Sequence, residues 1–286
     1  MTASSELSAT FTARDGIEIA YTSSGVAPPT VVFVHATGFC KELCYPVISD
    51  TRQLVGDFRA LALDQRAHGD SAAPDPPFDW WDIGRDLVEL AGDAGPLIGV
   101  GHSAGGAALV LAELVQPGMF ASLILVEPII FPPPYGRFDA NPMSAGALRR
   151  KRGFSSREEA LANFMAKEAF AHWDRRAMRA YIDGGFRSEA AGVVLKCTPE
   201  NEAEFFMAAT EHRAWDRLGE VAAPCLVIAG EHSTTHGEPF LSALTGRLGK
   251  ARSEVVAESS HFVWMERPAA VARRVADAIA EVRQPR

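Results

Sequence analysis

A chain of 286 residues, 47% hydrophobic and 22% charged, can bury a large core. Its net charge of −8 argues against nucleic acid as a partner. No apolar run approaches the ~20 residues of a membrane helix, so no membrane partner is expected either. Met1–Glu6 has no basic start and no apolar core, so no secretory leader is visible. Cys40, Cys44, Cys197 and Cys225 make no disulfide framework for a chain this size and fit a reducing, cytoplasmic setting. Cys40 and Cys44 have no second pair to complete a metal site, and no metal or cofactor is expected.

In chain order, residues 10–23 alternate around Asp15-Gly16 and predict an opening hairpin. Buried strands are predicted at 30–35, 59–64, 97–101, 122–126, 225–230 and 253–257, with helical patterns between them, as at 83–90. This alternation predicts an α/β fold with a mainly parallel central sheet covered by helices on both faces. The spacing breaks once, between Val126 and Cys225. A structureless loop of that length is disfavoured, so residues 131–215 are expected to form a mainly helical cap inserted after the sixth strand. Residues 1–130 and 216–286 then form the two parts of the core. The basic run Arg149-Arg150-Lys151-Arg152 within the cap reads as a solvated helix end.

Gly101-His102-Ser103-Ala104-Gly105 lies between an apolar strand and a good helix former. A serine on such a turn is strained and pushed outward at the carboxyl end of the sheet. The flanking glycines avoid a Cβ clash, and the helix N-terminus favours negative charge at that point. Ser103 is thus a candidate nucleophile. A serine hydroxyl needs a base within hydrogen-bond reach. His261 follows the last predicted strand and precedes a closing helix near Pro268, which selects it from eight histidines.

With these motifs the chain resembles the cap-bearing esterase, epoxide hydrolase and haloalkane dehalogenase group of the α/β-hydrolases. Residues 31–39, with His35-Ala36-Thr37-Gly38, resemble the strand and loop that build half of the oxyanion hole. Asp64-Gln65-Arg66-Ala67-His68-Gly69-Asp70-Ser71 resembles the family's Asp-x-Arg-Gly-His-Gly-x-Ser segment, with Ala67 in place of glycine. His261 to Pro268 resembles the family's ending around the catalytic histidine. The resemblance implies oxyanion donors at the backbone N–H groups of Thr37 and Ala104. Gly38 would supply a positive φ in that loop. His35, Asp64, Arg66 and His68 would organise the loops. His102 would help shape the pocket, and His232 and His236 read as surface-loop residues.

The third member of the triad departs from the usual pattern. Aligned on Gly230, the family's usual acid falls on Ser233, which cannot hold a charge. Glu127 closes the buried run Leu123-Ile124-Leu125-Val126, where a carboxylate is expensive unless paired. Some relatives carry their acid at this place, and the longer Glu side chain gives the reach. Glu127 is therefore the favoured acid and Glu231 the alternative. The resemblance implies a serine hydrolase cleaving a carboxylic ester, lactone or thioester of a small-molecule substrate. A C–C bond hydrolase of vinylogous diketones and a non-catalytic ligand-binding protein on the same scaffold stay open.

Overall fold

The computed structural model describes residues 7–92, 94–95 and 97–284. Met1–Glu6, read above for a leader, lies outside them. The chain opens with β1 (Leu7–Thr12) and β2 (Glu18–Ser24), an antiparallel hairpin turning through Gly16 at φ +86. Next come β3 (Thr30–Val34), α1 (Tyr45–Val55), β4 (Arg59–Leu63), α2 (Trp80–Ala91), β5 (Leu97–His102), α3 (Ala104–Val115) and β6 (Phe120–Val126). A long segment follows, with α4 (Pro142–Leu148), β7 (Gly153–Phe154), α5 (Arg157–Met165), α6 (Arg175–Gly184), β8 (Phe186–Glu189), β9 (Gly192–Leu195) and α7 (Pro199–Ala208). The chain closes with β10 (Cys225–Gly230), α8 (Phe240–Leu248), β11 (Ala251–Val256), α9 (Val263–Glu266) and α10 (Pro268–Arg283).

Among the described residues, eight strands form one sheet in the order β1-β2-β4-β3-β5-β6-β10-β11. The β1–β2 and β2–β4 pairings are antiparallel, and every pairing from β4 to β11 is parallel. The apolar runs are continuous because both faces are covered. Val32, Val34, Leu123 and Leu125 point to the side packed by α2, α3 and α8. Val31, Phe33, Ile124 and Val126 point to the side packed by α1 and α10. Strand periodicity thus divides one set of apolar residues between two cores. This is the α/β-hydrolase fold.

The segment between β6 and β10 is mainly helical, as expected, and also carries strands. β7, β9 and β8 form a small antiparallel sheet of their own. Its helices start where short polar side chains cap them: Asn141, Ser156, Asp174 and Thr198 each accept a backbone N–H of the first turn. Phe154 and Phe186 from the small sheet pack with Phe164 and Tyr181 from α5 and α6. That aromatic cluster joins the core on the α1 and α10 side of the main sheet.

Candidate active site

Ser103 sits between β5 and α3 with φ +55 and ψ −115, a conformation that costs a non-glycine residue on the order of 1–3 kcal/mol. The turn is held by hydrogen bonds from Ser103 N–H to Val126 O and from Gly106 N–H to Ser103 O. The glycines are required by contact. A Cβ on Gly101 would stand 2.4 Å from Gly105 O, and one on Gly105 would stand 2.2 Å from Val34 O. Both obstacles are backbone, so neither can move aside cheaply.

His261 lies in the loop after β11, and its side chain is one quarter exposed. Its Nε2 is 3.1 Å from Ser103 Oγ, and its Nδ1 is 3.0 Å from Glu127 Oε2. With the proton on Nδ1, Nε2 presents a lone pair to the serine hydroxyl. His102 steadies this loop from below, with Nε2 donating to His261 O at 2.9 Å and its ring stacked on Trp264. Burial pushes the pKa of His102 down to about 3, which keeps its ring neutral.

Glu127 leaves the end of β6 with φ +50 and is fully buried. Oε1 accepts the N–H of Gly230 at 2.8 Å, and Oε2 accepts the hydroxyls of Ser233 and Thr235 at 2.8 and 2.9 Å. Burial alone would raise its pKa. Hydrogen bonds and charge from His236 and His261 outweigh that and hold the carboxyl well below the usual range. Ser233, which the resemblance aligns with the family's usual acid, thus donates to the Glu127 carboxylate. Glu231 is exposed, and its carboxylate accepts the N–H of Glu258 at 2.8 Å. The structure brings Glu127, not Glu231, to His261.

His236 corrects the reading from sequence. It is buried, not a surface residue, with Nδ1 2.8 Å from Glu127 Oε2 and Nε2 3.1 Å from Pro128 O. Nδ1 also lies 3.0 Å from Thr235 Oγ1, so His236 belongs to the hydrogen-bond network around the Glu127 carboxylate. His232 is exposed, as read. No local motif marks His236: a histidine in a polar loop after a strand looks the same whether it turns in or out. Glu127, His236 and His261 also place their ligand-type atoms within 4.8 Å of one another, a donor set that could hold a transition metal. Each of those atoms already has a hydrogen-bond partner in the network described.

The loop after β3 faces the same cavity. Gly38 has φ +81, and its N–H donates to His68 Nε2 at 2.8 Å. Lys41 N–H and Nζ both bind the buried Asp64, and Arg66 makes a bidentate pair with Asp86. These contacts tie the loop after β3 to the loop after β4 and to α2. Ala67 adopts φ +65, a left-handed conformation that glycine takes more readily. The Thr37 N–H has no acceptor among the described residues. The Ala104 N–H opens α3, where a helix leaves its first donors unused.

A cavity of about 300 Å³ joins these parts. Thr37, Phe39, Ser103 and His261 line it from the sheet side, and Met143, Arg150, Phe164 and Lys167 line it from the segment between β6 and β10.

A model of the alpha/beta hydrolase family matches residues 31–274, which include Ser103, Glu127 and His261. The chain belongs to the alpha/beta hydrolase family. The peroxisomal membrane protein LPX1 of Saccharomyces cerevisiae is 33% identical over 118 residues, 35% of this chain and 30% of that protein. The esterase YbfF of Escherichia coli (strain K12) is 24% identical over 231 residues, 78% of this chain and 84% of that protein. The solved structure of yeast Lpx1, a peroxisomal alpha-beta-hydrolase, matches with a TM-score of 0.84 at 20% identity, covering 100% of this chain and 92% of that one. The structure of E-2-(acetamidomethylene)succinate hydrolase matches with a TM-score of 0.83 at 19% identity, covering 96% and 100%. At such identities these two likenesses are of fold. No described helix is long and apolar enough to cross a membrane, and all four cysteines are free and buried.

Proposed function

We propose that this hydrolase cleaves a carboxylic ester, lactone or thioester through an acyl-enzyme on Ser103. His261 acts as base and Glu127 as the acid that orients it. The observation that carries this reading is the unbroken line of contacts from Ser103 Oγ to His261 Nε2 at 3.1 Å and from His261 Nδ1 to Glu127 Oε2 at 3.0 Å. His261 takes the hydroxyl proton as Ser103 Oγ attacks the acyl carbon. Glu127 stabilises the imidazolium without taking the proton itself. The oxyanion is held by the Thr37 and Ala104 N–H groups, at the N-terminus of α3, and one such donor contributes on the order of 3 kcal/mol. His261 then protonates the leaving group. A water, deprotonated by the same ring, releases the acid.

Residues 131–215 act in this reading as a cap inserted into a core made of 1–130 and 216–286. Its support is that the segment supplies much of the wall of the cavity holding Ser103. A cytoplasmic location accords with four free, buried thiols. The test is pre-steady-state hydrolysis of an activated aryl ester. A burst of alcohol equal to enzyme supports an acyl-enzyme, and Ser103→Ala and His261→Ala should each abolish it. Turnover by Ser103→Ala at the wild-type rate would overturn the proposal.

A further inference from the structure

Arg150 does not behave as one charge in a solvated run. It follows α4 and turns into the cavity that holds Ser103, while Arg149, Lys151 and Arg152 stay exposed. Its guanidinium donates to Glu202 and to the Tyr181 hydroxyl, so one carboxylate offsets its charge. Lys167, after α5, is solvent-exposed and also lines the cavity. Its Nζ stands 4.8 Å from the centroid of the Phe164 ring, whose surface Arg150 also approaches, at 5.9 Å. No carboxylate of the described residues pairs with Lys167. Burial and the charge of Arg150 both push its pKa down, the expected result for two cations sharing an apolar wall. The cavity therefore holds two cations against one carboxylate, with Phe39, Phe170, Phe206 and Phe262 forming much of the rest of its lining.

An uncompensated cation beside aromatic rings is stabilised in part by the ring faces. It is completed by an anion, and a charge-assisted hydrogen bond to a carboxylate is the stronger contact. We propose that the substrate carries a free carboxylate besides the acyl bond that is cleaved, and that Lys167, with Arg150 beside it, binds that group. The substrate class is then an ester, lactone or thioester of a dicarboxylic acid, or an ester whose leaving alcohol bears the acid. This rests on the reading of Ser103 as nucleophile. The carboxylate takes no part in bond making; it sets orientation and affinity.

The experiment compares matched esters. On the acyl side these are 4-nitrophenyl hemiglutarate and methyl 4-nitrophenyl glutarate. On the leaving-group side they are 4-carboxyphenyl butyrate and its methyl ester. In one pair, kcat/KM should favour the acid by about tenfold or more, and the favoured pair identifies which side carries the group. Lys167→Met should cut that preference about tenfold, mainly through KM, and Lys167→Arg should retain most of it. Preference for the neutral ester in both pairs, or an unchanged ratio in Lys167→Met, overturns the proposal. Glutarate binding, read by calorimetry, separates the two readings because it needs no turnover. It should weaken about tenfold in Lys167→Met. Binding without hydrolysis of any ester would leave the subsite standing and remove the nucleophile. Hydrolysis of the neutral esters with no glutarate binding would do the reverse.

Discussion

Nδ1 of His236 lies 2.8 Å from Oε2 of Glu127, the carboxylate oxygen that also stands 3.0 Å from Nδ1 of His261. Two histidines thus share one buried carboxylate, and one of them faces Ser103. His236, held on its other side by Pro128 O at 3.1 Å, helps fix the direction of that carboxylate.

His236→Asn keeps a donor close to the position of Nδ1 and removes the contact with Pro128 O. The carboxylate is then directed less firmly at His261, so kcat should fall. The fall in kcat should be about tenfold or less. A residue that only fills space would lower the melting temperature and leave kcat where it is.

Glu127→Gln preserves shape but removes the charge that stabilises the imidazolium and the acceptor that holds its tautomer. Loss of kcat by roughly 10²- to 10⁴-fold is expected, with the fold kept, as judged by circular dichroism. Glu231→Gln should change kcat by less than about threefold, because Glu231 binds the Glu258 N–H and not the ring of His261. The opposite ranking would move the acid to Glu231.

The elbow gives a prediction about stability. Gly105→Ala drives a Cβ to within 2.2 Å of Val34 O and 2.6 Å of His35 O. A loss of about 3 kcal/mol or more is expected in urea unfolding. Gly246→Ala, within α8 and with nothing within 4 Å of the new Cβ, should instead stabilise by about 0.5–1 kcal/mol.

Acid should unfold this protein early. Burial lowers the pKa of His35 and His212 to about 4 and that of His68 and His102 to about 3. The folded form keeps these rings neutral, while the unfolded chain protonates them below its ordinary pKa of about 6.5. Stability is therefore intact above that pH and lost as pH falls toward 4, with a slope of up to roughly 5 kcal/mol per pH unit for four groups. Glu127 has the same sign: its depressed pKa contributes stability above the normal carboxylate range and loses it as pH falls further. Urea midpoints measured from pH 7 to pH 4.5 should fall steadily; a flat series would mean that these rings titrate in the folded state.

Much of the fold is legible in the sequence because its strands are buried on both sides and read as continuous apolar runs, as at 31–34 and 225–230. Ser103 and His261 are legible because each lies in a local motif beside such a strand. Glu127 is legible by its cost, a carboxylate ending an apolar strand, together with the neutral Ser233. What remains hidden depends on contacts distant in sequence. His236 turns inward to a carboxylate 109 positions earlier, which no local pattern marks. Arg150 looks solvated beside three other charges until Glu202 and Tyr181 are seen against it. The small sheet escapes because its strands are two to four residues long, too short for alternation to show.

Covalent labelling is the sharpest test of Ser103 as the nucleophile. The native protein is reacted with a fluorophosphonate probe, digested, and the modified residue mapped by mass spectrometry. One phosphonyl group per chain is expected, on Ser103, absent from Ser103→Ala and greatly slowed in His261→Ala. Labelling at another residue, or no labelling of a folded protein that still hydrolyses esters, would contradict it.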